Sequence, residues 1–194
     1  ANSGTTTYTG TEQSVDGFTV AGLVNGEGQE VLDVQLSGGS GTNAGHYAHT
    51  ASGDAQNYLL TFIDGELTID KATATVTANS GTTTYTGIEQ GVDGFTVAGL
   101  VNGEDASVLA ITTHGGRGTD AGRYAHTASG DAQNYLLTFI GGELTIDKAT
   151  AIVTANSGTT TYTGIEQSVD GFTVAGLVNG EGQEVLDVQL SGGS

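Results

Sequence analysis

Acidic side chains are the groups in this sequence best suited to hold a ligand. Calcium takes roughly six to eight oxygen ligands, which carboxylates and loop carbonyls can supply. The stretch GGRGTD at residues 115–120 resembles the first part of a glycine-rich calcium-binding nonapeptide, but Gly122 stands where that motif has a large apolar residue. Solvated surface carboxylates are the competing interpretation. The candidate calcium ligands are Asp93, Glu104, Asp120, Asp131 and Asp147.

The two lysines, Lys71 and Lys148, are candidates for a covalent cross-link to an Asn or Asp side chain. Such a link needs an amine shielded from water, because desolvation favours the neutral form of the amine. A lysine at the margin of a sheet that extends its ammonium group into water is the alternative.

Histidine, serine and threonine form no recognisable catalytic set. His49 and His126 lie in the string YAHT without companion residues at zinc-site spacing. No nucleophile elbow or Ser/His/Asp arrangement can be identified. We therefore expect that the chain is not an enzyme and requires no cofactor, calcium being the one candidate.

The composition excludes several classes of function. The 194 residues include 22 acidic and 4 basic side chains, which gives a net charge of −18. A nucleic-acid interface or an attraction to anionic lipid needs more basic residues than this. The absence of cysteine excludes disulfides and thiolate metal sites. No apolar run approaches the roughly 18 to 20 residues of a membrane span, so membrane insertion is not expected.

The chain is built from an internal repeat. The string ANSGTTTYTG begins at Ala1, Ala78 and Ala155, so the period is 77 residues. The first two periods differ at 15 of 77 positions, and most of these differences lie in residues 105–123. A stretch that varies between constant flanks is expected to be an exposed strand and loop.

The predicted domain boundaries fall where one strand pattern ends and the string ATATVT begins. They define repeat 1 (residues 1–71), which lacks this opening strand, repeat 2 (72–148), which is complete, and repeat 3 (149–194), which is partial. We expect the sequence to be a piece of a longer array. The chain by itself would expose unpaired strand edges at both ends.

Short β-strands separated by glycine, asparagine and aspartate clusters account for the whole period. The string NYLLTFIDGELTID at residues 57–70 predicts a hairpin with a type I′ turn at Asp64-Gly65. A short helical turn is expected near residues 102–109, capped by Asn102. The predicted core face of the hairpin consists of Tyr58, Leu60, Phe62, Leu67 and Ile69.

These patterns predict an all-β fold of tandem 77-residue domains, each an Ig-like sandwich or a β-grasp-like roll, in an elongated array. In residues 72–78 we expect Ala72, Ala74 and Val76 to face the core and the threonines to face outward.

The sequence resembles the MBG/YDG-type β-repeats of very large bacterial surface and secreted proteins. The matching elements are GLVNG at residues 99–103, the strand at 122–130 and the segment at 134–146. The resemblance implies tandem arrays that act as stalks or fibres of adhesins and exoproteins. It implies no catalytic residues.

A mechanical role outside the cell or at its surface, in adhesion or a biofilm matrix, is therefore the leading hypothesis. The expected partners are neighbouring copies of the chain, either in a covalent stalk or in a head-to-tail filament with shared strands, together with polysaccharide or a host or cell surface. The alternative is a glycan- or ligand-binding adhesin module that uses residues 105–123, with Tyr124 or Tyr85 as a stacking platform.

Overall fold

The computed structural model of the protein describes residues 1–191. Strands make up 45% of the chain, and the described part contains no helix of seven residues or more. The prediction of an all-β fold with tandem repeat units is therefore confirmed. The strands in chain order are β1 (Gly4–Thr7), β2 (Gln13–Ser14), β3 (Asp33–Gly38), β4 (Ser40–Gly41), β5 (Gly45–Asp54), β6 (Gly65–Asp70), β7 (Ala72–Ala78), β8 (Gly81–Thr84), β9 (Gln90–Gly91), β10 (Phe95–Ala98), β11 (Ala110–Gly115), β12 (Arg117–Gly118), β13 (Gly122–Asp131), β14 (Tyr135–Ile140), β15 (Gly142–Asp147), β16 (Ile152–Ala155) and β17 (Phe172–Ala175).

A four-stranded sheet occurs in both repeat 1 and repeat 2. Its strand order is β1-β6-β5-β3 in repeat 1 and β8-β15-β13-β11 in repeat 2. The first strand runs parallel to its neighbour, with Gly4 opposite Leu67 and Gly81 opposite Leu144. The alternation in GELTID buries the leucine of each copy, since Leu67 and Leu144 are each 2% exposed.

A three-stranded sheet of order β10-β7-β14 is the second element of repeat 2. Strand β7 is parallel to β14, and its side chains alternate as predicted. Ala72, Ala74 and Val76 are buried at 6%, 3% and 0% exposure. In repeat 3, β16 and β17 form a two-stranded antiparallel sheet.

The predicted hairpin at residues 57–70 is wrong. In repeat 2 its two halves are β14 and β15, which belong to different sheets, and in repeat 1 residues 58–63 are not a strand. Neither Asp64 nor Gly65 has the positive φ of a type I′ turn. Gly65 is needed for another reason, because a Cβ there would overlap the backbone of Asn2. The predicted core face is accordingly split: Leu67 is buried but Phe62 is 38% exposed.

The predicted helical turn is present but shorter. It is a 3₁₀ turn at Ala106–Val108, and its N-cap is Asp105, whose side chain accepts a hydrogen bond from the Ser107 amide. Asn102 instead has a left-handed backbone conformation with φ of 54°. Within residues 1–191, no helix is long and apolar enough to cross a membrane.

The chain divides into two compact units. The first contains Ala1–Thr77, Phe95–Thr112 and Ala128–Ile140, and the second contains Ala78–Gly94, Thr113–Thr127 and the residues from Gly141 onward. The first unit therefore takes strands from both repeat 1 and repeat 2. The domain boundaries drawn from the sequence stay a prediction.

The core of the first unit is one cluster of apolar side chains from both repeats. Its centre is β7, and Val15 and Tyr47 of repeat 1 pack at its edge. Because neither repeat supplies this cluster alone, its burial ties the two repeats together. Its buried members are Tyr8, Leu67, Ile69, Ala72, Ala74, Val76, Leu109, Ala132 and Tyr135.

Candidate functional site

A carboxylate held by two tyrosines lies where repeat 1 meets repeat 2 in the first unit; we call it the first joint. The Glu104 carboxylate accepts hydrogen bonds from the hydroxyls of Tyr8 and Tyr135. The two rings are 5.5 Å apart between centroids and meet edge to face at 82°. Tyr8 is 6% and Tyr135 2% exposed, so the pair is shielded from water. Edge-to-face packing and charge-assisted hydrogen bonds both favour this geometry.

A tight turn in GLVNGE presents Glu104 to the tyrosines. Asn102 and Gly103 both have positive φ, and the Glu104 amide donates to the Val101 carbonyl at 3.0 Å. The Val101 amide donates to the Tyr135 hydroxyl oxygen at 3.0 Å. That hydroxyl therefore accepts from the turn and donates to Glu104, which fixes strand β14 against the turn.

Further polar contacts flank the first joint. The Asn102 amide donates to the Gly10 carbonyl at 3.0 Å, and the Lys71 ammonium donates to the Ala132 carbonyl at 2.7 Å. The Asn134 side chain accepts from the Ala44 amide at 2.9 Å. These contacts join residues about one repeat apart in sequence, so they specify the register of repeat 2 on repeat 1.

The joint raises the pKa of both tyrosines. Burial is the main cause of the rise in the pKa of Tyr135 to about 12, and the hydrogen bond to Glu104 adds to it. The hydrogen bond to Glu104 is the main cause of the raised pKa of Tyr8. Both phenols therefore remain protonated donors at neutral pH.

The same contacts recur 77 residues further along the chain, in the second unit; we call this the second joint. The Tyr85 hydroxyl donates to Glu181, and the Asn179 amide donates to the Gly87 carbonyl at 2.8 Å. A groove of about 370 Å³ lies beside them, lined by Tyr85, Lys148, Glu181 and Leu186 among others. The counterpart of strand β14 occupies this place in the first joint.

Comparison with known families assigns the repeat. The family described as MBG domain (YGX type) matches residues 1–68 and 74–145, which is more than half of the chain. The chain belongs to this MBG family. No curated protein matches it. MBG domains are structural, non-enzymatic modules that occur in surface proteins and in repeat adhesin-like proteins.

The MBG repeats do not bring the predicted calcium ligands together. Asp93 pairs with Arg117 at 2.7 Å, and Glu104 is held by tyrosines. The Asp131 carboxylate accepts from the Ala132 amide, whereas Asp120 and Asp147 make their recorded contacts through backbone carbonyls. In the described part of the chain, no group of three or more His, Asp or Glu side chains is placed to hold a metal ion. Calcium binding stays a prediction.

The two lysines of the MBG repeats differ in their surroundings. Lys71 is exposed, and its hydrogen bond is to a backbone carbonyl rather than to an Asn or Asp side chain. Lys148 lines the groove of the second joint. The cross-link stays a prediction.

The two YAHT histidines are buried at 1% exposure. The His49 and His126 Nδ1 atoms lie 2.9 and 2.8 Å from the backbone carbonyls of Asn2 and Asn79. They therefore connect β5 and β13 to the segments that precede β1 and β8.

The tyrosines proposed as a glycan platform are engaged within the fold. The Tyr124 ring packs so closely on Gly118 that a Cβ there would overlap the ring, and its hydroxyl donates to the Asp120 carbonyl at 2.9 Å. Tyr85 is bonded to Glu181. Glycan binding by residues 105–123 stays a prediction, and these contacts leave less ring surface for stacking.

Sequence reasoning assigned Glu104 to calcium and missed Tyr8 and Tyr135. The contact joins residues 96 positions apart, so no local pattern indicates it. The one available signal was the recurrence of tyrosine and of Asn-Gly-Glu once in every period.

Proposed function

We propose that this chain is a structural segment of an extracellular MBG repeat protein that forms a fibre or stalk for surface adhesion or a biofilm matrix. The recurrence of the same joint at a spacing of 77 residues carries this proposal. When each repeat bonds to the next through the same residues, stability propagates along an array and added repeats extend it.

Three further observations support an extracellular, mechanical role. MBG domains occur in surface proteins. The net charge of −18 keeps such a chain soluble and limits nonspecific aggregation. The polar groups of the first joint satisfy one another in a buried setting, which suits holding a structure together. Calcium, as a bridge between carboxylates, is an optional addition to this proposal.

Electron microscopy of the native, full-length protein tests the proposal. We expect fibres or strings of constant width on the cell surface or in the surrounding matrix. Fibres longer than one extended chain, at about 3.3 Å per residue, would indicate self-assembly, whereas strings no longer than one chain would indicate a covalent stalk. Dispersed compact particles alone would contradict the proposal. Imaging in millimolar calcium and then in EDTA shows whether calcium contributes.

A further inference from the structure

A groove of about 740 Å³ opens along repeat 1 in the first unit. Its walls are residues 18–23 and 58–63, with Leu32 and Val34 between them. Neither wall is a strand, and the second wall leaves Leu59 100% and Ile63 79% exposed. The groove is therefore an apolar slot whose walls have no strand pairing.

Repeat 2 shows what fills this slot. Residues 94–100 and 134–140 have the same sequences as residues 17–23 and 57–63, yet they contain strands β10 and β14. Strand β7 lies between β10 and β14 and pairs in parallel with β14 along six residues. The groove of repeat 1 therefore corresponds to the place that β7 occupies in repeat 2.

The chain carries a second strand of this type. Residues 149–155, ATAIVTA, differ from β7 only in having Ile152 in place of Thr75. Their strand β16 pairs with β17 on one edge, and within residues 1–191 its other edge has no strand partner. Ile152 is 64% and Val153 43% exposed, whereas Val76, the counterpart of Val153, is fully buried.

We propose that residues 149–155 of one copy of the chain insert into the groove of a second copy, between residues 18–23 and 58–63. This inference rests on the proposed structural function and specifies how its chains join. The β7–β14 register sets the pairing. Ala149 lies opposite Tyr58, Ala151 opposite Leu60 and Val153 opposite Phe62.

The exchange has a favourable balance of contacts. Leaving β17 removes one edge of pairing from β16, but residues 17–23 of the partner repeat the sequence around β17, residues 171–177, and restore it. The second edge, against residues 58–63, is a net gain of a parallel ladder and of apolar burial. The charge of −18 on each copy opposes association, so added salt should promote the exchange.

Disulfide trapping tests the register, because the chain has no cysteine of its own. A chain carrying Ala151→Cys is mixed with one carrying Leu60→Cys under mild oxidation in high salt. Opposed residues of paired strands lie about 5 Å apart, within the range that a disulfide spans. We expect a cross-linked dimer. The matched control is Leu59→Cys, which projects to the opposite face and should cross-link about tenfold less.

A second variant fills the groove within one chain. The Ala1 ammonium donates to the Ile63 carbonyl at 2.7 Å, so residues ATAIVT added before Ala1 would enter the groove directly. This self-filled chain, carrying Leu60→Cys, should not accept Ala151→Cys. Circular dichroism confirms that each variant is folded.

Three outcomes would overturn the exchange: no cross-link, equal cross-linking of Leu59→Cys and Leu60→Cys, or cross-linking that persists in the self-filled chain. None of these would remove the proposed array function, because the joints within one chain need no second copy. The array is tested separately by microscopy of the native protein.

Discussion

The two joints use the same polar contacts but differ in burial. Tyr8 in the first joint is 6% exposed, whereas Tyr85 in the second is only half-buried. Leu109 is buried, and its counterpart Leu186 is half-buried. The tyrosine–glutamate hydrogen bond is present in both. The missing element in the second joint is the counterpart of β14. The polar contacts therefore select which residues meet, and the added strand supplies the burial.

The largest difference between the joints should follow from a charge on the central strand. Val76→Asp places a carboxylate at a position with 0% exposure, which should cost about 3–5 kcal/mol of unfolding free energy. Val153→Asp makes the same change at a position 43% exposed and should cost less than about 1 kcal/mol. Urea unfolding at low protein concentration measures both. Equal losses would show that burial does not distinguish the joints.

Removal of the carboxylate should also affect the first joint more. Glu104→Ala leaves two buried phenol hydroxyls without an acceptor and should cost about 2–4 kcal/mol. Glu181→Ala affects one half-buried phenol and should cost about 1 kcal/mol. Glu104→Gln keeps an acceptor oxygen and should recover part of the loss. If both alanine variants unfold at the same urea concentration, the second tyrosine contributes nothing.

A smaller effect should come from the backbone approach at Gly10. Gly10 has φ of 77°, and a Cβ there would lie 2.6 Å from the Asn102 Cβ. Gly10→Ala should therefore cost about 2 kcal/mol, from both the left-handed backbone and the clash. Gly103→Ala is the control, since Gly103 has φ of 73° but nothing within 4 Å, and it should cost about 1 kcal/mol. Similar melting temperatures for the two variants would indicate that Asn102 moves aside.

Local sequence was sufficient for the parts of the fold that depend on alternation. The all-β class and the inward face of β7 follow from a period of two in residues 72–78. The turn at Ala106–Val108 follows from its short polar cap, although the capping residue is Asp105 rather than Asn102.

Local sequence was insufficient wherever pairing crosses from one repeat to the next. The string NYLLTFI is a strand at residues 135–140 and not at 58–63, although the residues are identical. The difference is the presence of β7 beside one of them. The hairpin prediction failed for this reason, since Asp64-Gly65 suits a turn but the strands on its two sides have separate partners. The joint was missed for the same reason, because Tyr8 and Glu104 meet only after the repeats pack.

The smallest expected effect separates the joints by pH. The pKa of Tyr135 is raised from 10.0 to about 12, mainly by burial, so the unfolded chain loses this proton first as the pH rises. The stabilisation from this proton is complete below pH 10 and is lost between about pH 10 and 12, with a loss of about 1 kcal/mol by pH 11. Tyr135→Phe should flatten this pH dependence, measured as the slope of unfolding free energy against pH. Tyr58→Phe removes the exposed counterpart, whose pKa is raised chiefly by its hydrogen bond to Glu27, and should change the slope less. An unchanged slope in Tyr135→Phe would mean that another group controls the response of the first joint to base.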